Sequence, residues 1–142
     1  MVACTSKSPS GQIDLMQKRV DAVERQAEVL YNQDFTYLVT ECQVLEETVA
    51  QTKDIGDEMD LLMAYLQQYE DQRVAILENV EYSRKQLNDL KDDIENHVYD
   101  DETAARYIKD EDDAIRMMEA QLKYFKEKFD AQKKVVKQLR KE

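Results

Sequence analysis

The residues of this chain that could do chemistry are few and scattered. His97 is the only histidine. As a general base or metal ligand it needs a partner, and Glu95 stands two positions before it. Carboxylate-bridged metal sites in helix bundles use Glu-x-x-His, three positions apart and twice over. His97 is therefore read as a turn or surface residue. There are two cysteines, Cys4 and Cys42. A bond between them would fold the start of the chain back on its first helix. Cys42 falls on an apolar stripe and is read as a small buried hydrophobe. The run Asp110-Glu111-Asp112-Asp113 suggests calcium, but an EF-hand loop sets alternating oxygen ligands around a central glycine, and there is none here. It is read as a solvated helix face. With no nucleophile–base pair, no glycine-rich phosphate loop and no metal-ligand spacing, the expectation is a protein without catalytic residues, cofactor or metal. What remains are polar or soft residues in informative places. Arg73, Glu111 and Gln132 interrupt apolar stripes, where such residues set register or partner choice at a cost in stability. Met117, beside Met118, offers an adaptable contact surface.

Long helices must position these residues. Alternating steps of four and three run through Ala104, Ile108, Glu111, Ile115, Met118, Leu122, Phe125, Phe129, Gln132, Val136 and Leu139. An unbroken heptad seam of this kind buries one helix edge against another. A second seam reads Met59, Leu62, Leu66, Tyr69, Arg73, Ile76, Val80, Ser83, Leu87, Leu90 and Ile94. Leu61, Met63, Tyr65, Val74, Leu77 and Tyr82 broaden it, which favours two neighbours over one. The first seam in the chain reads Ile13, Met16, Val20, Val23, Ala27 and Leu30, then Leu38, Cys42, Leu45, Val49 and Thr52. Its step of eleven from Ala27 to Leu38 predicts a change of winding near Asn32-Gln33-Asp34. Phe35 to Val39 has strand propensity, overridden by the helical period that resumes at once.

Two breaks separate the seams. Gly56 suits the position just past a helix end, with Asp57 capping the next start. Asn96 suits the left-handed position after the second helix, and Asp100 caps the third. The expected organisation is a leader over residues 1–11 and helices over about 12–54, 57–96 and 100–141. The fold class is all-α: an elongated antiparallel three-helix bundle or coiled coil with a disordered N-terminal tether. Charge agrees with an up-down-up order. Lys133, Lys134, Lys137, Arg140 and Lys141 would meet Asp54, Asp57, Glu58 and Asp60 at one end, and Lys18 and Arg19 would meet Asp100, Asp101 and Glu102 at the other.

Composition limits the function. The 142 residues include two glycines, one proline and no tryptophan, so breakers are almost absent and long helices follow. The net charge of −11 disfavours nucleic acid as a partner, because phosphate contacts need a basic field. No run is apolar for long enough to cross a membrane as a helix. The leader MVACTSKSPSG has no apolar period. Within it, Val2-Ala3-Cys4 followed by a Ser/Thr/Lys/Pro run resembles the bacterial lipobox and tether of small envelope lipoproteins. The resemblance covers four residues, and no basic and apolar signal segment precedes Met1, so it implies a longer precursor. It further implies lipid on Cys4, membrane anchoring there, and a place in the bacterial cell envelope. The alternative is an ordinary cysteine of a cytoplasmic protein.

The expected function is thus a non-enzymatic helical scaffold or protein-interaction module that meets its protein partners through helical surfaces. Two other classes stay open: a coiled-coil subunit of a larger hetero-assembly, and a holdase-like chaperone.

Overall fold

The computed structural model describes residues 8–141. They form α1 (Pro9–Val29), a π-helical turn (Leu30–Phe35), α2 (Thr36–Glu47), α3 (Gly56–Glu95) and α4 (Asp101–Lys141). The described chain is all-α, an antiparallel three-helix bundle whose backbone reverses twice. Among the described residues the contacts divide into two units, one of residues 8–25 with 76–120 and one of residues 26–75 with 121–141.

In the first unit the core is Ile13, Met16, Val20 and Val23 from α1, Ile76, Val80, Leu87 and Leu90 from α3, and Ala104, Ile108, Ile115 and Met118 from α4. Polar pairs at the edges show the direction of each helix. Asp14 meets Lys91 at 2.8 Å, Gln17 meets Asn88 at 2.6 Å, and Asp21 and Glu24 meet Arg84 at 2.9 and 2.7 Å. As one number rises the other falls, so α1 and α3 are antiparallel. Arg19 reaches Asp112 and lies 2.8 Å from Glu119 on α4. Its hydrogen bond holds the Asp112 carboxyl below the ordinary range, as Arg84 does for Glu24.

In the second unit the core is Ala27, Leu30, Phe35, Leu38, Cys42 and Leu45, with Ile55, Met59, Leu62, Leu66 and Tyr69 from the next turn and helix, and Leu122, Phe125, Phe129 and Val136 from α4. The expected seams of α3 and α4 are buried or half-buried at every position, Arg73, Glu111, Ile94 and Leu139 being the half-buried ones. The first seam holds through Leu45. Its last two positions do not: Val49 is half-buried and Thr52 is exposed.

The helix ends differ from the expected ones, for local reasons. Residues 9–11 are helix rather than leader. The Ser8 hydroxyl accepts the Gly11 N–H at 3.0 Å, and the Ser8 carbonyl accepts the Gln12 N–H at 2.9 Å. Ser8 is thus the N-cap and Pro9 the first helical residue, where a missing N–H costs nothing. The tether over residues 1–7, with Cys4, lies outside the described residues.

The first helical stretch ends at Glu47, not Asp54. The Thr48 N–H and hydroxyl both turn back to the Val44 carbonyl, at 3.0 and 2.6 Å. Such competition, with β-branched Thr48, Val49 and Thr52 close together, weakens helix propagation. Gly56 opens α3 instead of ending the stretch before it, and its φ is not positive. Ile55 supplies the first capping carbonyl to Met59, and the Asp54 carboxylate accepts the Gly56 N–H at 3.3 Å.

At the second reversal the left-handed residue is His97, with φ of 58°, rather than Asn96. Val98 N–H donates to the Asp93 carbonyl and His97 N–H to the Ile94 carbonyl, at 2.9 and 3.1 Å. This is the paired-bond stop that usually carries glycine. Asp100 caps α4 as expected, accepting the Thr103 N–H at 2.7 Å. His97→Gly should raise stability by about 1 kcal/mol, because the left-handed cost of a side chain exceeds the entropy cost of glycine. Urea unfolding checks this, and a loss of stability would assign the imidazole a contact of its own.

The expected end-to-end charge pairing does not form among the described residues. Arg19 joins Asp112 and Glu119, Lys133 joins Asp34, and Arg140 joins Glu41. The basic side chains reach across to acids midway along neighbouring helices, where the pairs are partly buried.

Candidate functional site

Polar chemistry gathers in both units. In the second unit it lies at the π-helical turn Leu30–Phe35. Its origin is visible in the buried positions. Leu30, Asp34, Phe35 and Leu38 are all buried. A regular α-helix would bury positions spaced three, four and seven from the first. This stretch is one residue longer, and a π turn absorbs an extra residue while keeping the flanking helix in register. Thr36 closes it, since both its N–H and its hydroxyl donate to the Tyr31 carbonyl, the latter at 2.8 Å.

The turn places an acid in the core. Asp34 is 4% exposed and lies 3.2 Å from the Lys126 ammonium, with Lys133 on its other oxygen. One heptad further on, Glu41 takes both of its oxygens to Arg140, at 2.7 and 2.8 Å. Beneath Asp34 lies an aromatic cluster. Tyr69 meets Phe125 at 4.9 Å and Phe129 at 5.4 Å, both edge-on, and Phe35 at 5.9 Å. The Tyr69 hydroxyl donates to the Ala27 carbonyl at 2.8 Å, and burial pushes it up to about 12. Tyr31, stacked on Phe35, carries the Arg73 guanidinium 4.0 Å above its ring. The Arg73 Nε is buried with no hydrogen-bond partner among the described residues. Arg73 is half-buried on its seam, and its partner there is the aromatic face of Tyr31.

Deleting Gln33, which is exposed, tests whether the π turn is structural slack. The buried set would then fall on regular α spacing. Stability should change by less than about 1 kcal/mol, with the extra turn gone from the backbone chemical shifts. A loss above about 3 kcal/mol would mean that the wide turn is itself required.

In the first unit the polar cluster is a cavity of about 260 Å³ between α3 and α4. Asp89, Asp93, Asp110 and Glu111 line it with Tyr99 and Tyr107. The two rings pack edge-on at 4.9 Å. Tyr99 donates to Asp93 at 3.3 Å. Burial, and then Asp110, pushes the Glu111 carboxyl above its ordinary range. Asp110 and Glu111 were read from sequence as part of a solvated face. Asp110 is exposed, whereas Glu111 is half-buried. Among the described residues no group of three or more His, Cys, Asp and Glu is placed to hold a metal ion.

The sequence-derived candidates thus lie apart. Arg73 and Gln132 belong to the second unit, where Gln132 is 5% exposed on its seam. Glu111 and Met117 belong to the first, where Met117 is 70% exposed. Cys42 is buried, and burial raises its thiol. The buried acids Asp34 and Glu41 were missed. They are seven residues apart, as are Lys126, Lys133 and Arg140 in turn; two matched heptad series of opposite charge were the available signal. No helix among the described residues is long and apolar enough to cross a membrane. Compared with known proteins, the chain matches no family model, no curated protein and no solved structure.

Proposed function

We propose that this chain is a non-enzymatic helical scaffold or protein-interaction module, carried at a bacterial envelope by lipid on Cys4. The observation that carries the first half is where the seams go. In each unit three apolar stripes close on one another, so the chain supplies its own core. A subunit whose seams await other chains would leave such stripes open. Partners are then met on the flanks of the helices, where Tyr82 and Met117 stand out into solvent at 62% and 70% exposure. The second half rests on Val2-Ala3-Cys4 and the tether-like run after it.

The lipid reading is tested by expressing the complete coding sequence in bacteria fed an alkyne-tagged palmitate. Label on the wild type that is lost in Cys4→Ser supports it. An unlabelled wild type overturns it, and leaves an interaction module of the cytoplasm.

A further inference from the structure

We propose that the outer groove between α3 and α4 of the first unit binds a cationic amphipathic helix of a partner protein, whose lysine or arginine side chains enter the cavity beside Tyr99 and Tyr107. This deepens the interaction-module reading and rests on it.

The groove carries its own helical spacing. On α3 a second stripe runs through Tyr82, Gln86, Asp89 and Asp93, in steps of four, three and four. On α4 another runs through Tyr107, Asp110, Ala114 and Met117, in steps of three, four and three. Neither belongs to the core seam. Gln86, Asp89 and Asp93 share one cavity with Tyr107 and Asp110, so the two stripes border the same groove. Heptad stripes on two adjacent helices make a trough that fits a third helix laid along it. Its apolar part is Tyr82, Ala114 and Met117, all exposed.

Charge selects the occupant. Four carboxylates line the cavity, and among the described residues no lysine, arginine or histidine lines it. None of the four enters an ion pair among the described residues. At the contacts with α1, by contrast, Asp14, Asp21 and Glu24 of α1 and Asp112 of α4 are each paired with a cation. The uncompensated carboxylates are too dispersed to hold one metal ion. They suit a cation spread along a chain. The tyrosine pair suits it as well, since aromatic faces attract ammonium and guanidinium groups and accept their alkyl stems. Tyr107 already has Arg106 at 5.5 Å from its ring centre. A small polyamine would satisfy the carboxylates but leave Tyr82 and Met117 bare, whereas a helix with basic and apolar residues covers both.

The test uses the chain with Cys4→Ser, so that lipid plays no part. The probe is a synthetic Leu/Lys peptide of about three heptads, with a Leu/Glu peptide of equal length as control. At about 0.15 M salt, where bulk attraction is largely screened, the Leu/Lys peptide should bind one to one. It should shift the Met117 methyl and the Tyr99 and Tyr107 ring signals in nuclear magnetic resonance spectra. Asp110→Asn with Glu111→Gln should weaken binding by about tenfold or more. Met117→Lys, at a site too exposed to threaten folding, removes the apolar contact and repels the cationic peptide, and should do the same. Asp57→Asn with Glu58→Gln removes equal charge at the start of α3 and should change affinity by less than about twofold. Absence of binding, equal weakening by both charge pairs, or shifts confined to other residues would each overturn the proposal. The palmitate label reports on Cys4 alone, so failure of the groove and failure of the tether are told apart.

Discussion

Replacing Phe125 with alanine is expected to lower stability by about 3–5 kcal/mol, a large share of what a domain of this size holds. Phe125 is 1% exposed on the most regular seam in the chain. Its ring meets Tyr69 at 4.9 Å and Tyr124 at 5.2 Å, both edge-on, and Phe129 at 6.2 Å. Truncation removes the buried ring, leaves a cavity that long packed helices cannot close, and deletes edge contacts worth about 0.5–1.5 kcal/mol each. Urea unfolding should show a lower midpoint with an unchanged slope. A near-neutral result would mean that the ring faces a partner or solvent, and the core of the second unit would need another centre.

The second large effect is an asymmetry. Lys126→Ala with Lys133→Ala should cost about 3–5 kcal/mol, because it strands a carboxylate in the core. The Asp34 side chain is 5% exposed, while Lys126 and Lys133 are 55% and 27% exposed. Removing the acid is milder. Asp34→Leu leaves two ammonium groups that can turn to water, and fills the site with apolar volume. It should be neutral or stabilising, as replacements of buried ion pairs by hydrophobic residues often are. Melting of the three proteins at neutral pH distinguishes the cases. If Asp34→Leu proves the most damaging, the acid contributes something other than a buried charge. The overlap of Asp34 with the π turn is the first place to look, since π turns recur at functional positions.

The parts of this fold that were legible in the sequence are those set by long-range periodicity. The α3 and α4 seams, from Met59 to Ile94 and from Ala104 to Leu139, were readable residue by residue, because steps of three and four recur along each without a gap. The winding change near Asn32-Gln33-Asp34 was readable for the same reason, and the π turn covers those residues. What was not legible depends on single hydrogen bonds. Pro9 reads as a breaker until Ser8 is seen to cap it. Gly56 reads as a stop, yet it starts a helix because Ile55 and Asp54 satisfy the first N–H groups. His97 takes a left-handed position that composition assigns to its neighbour Asn96.

The polar sites were harder still. Asp34 looks like a surface residue beside Asn32 and Gln33, yet it stands four residues after Leu30 and seven after Ala27, on the face that is buried. The tyrosine-lined cavity draws residues from α3, the reversal and α4, and no local motif joins them. Asp110 and Glu111 were noticed as an acidic run, but the rings that give the run its specificity lie at Tyr99 and Tyr107.

The central claim is that the chain completes its own core by folding back twice. The most direct measurement is light scattering together with circular dichroism over a wide range of protein concentration. A monomeric mass and a constant, high helix content at every concentration are predicted. Mass and helicity that climb together with concentration would contradict the account.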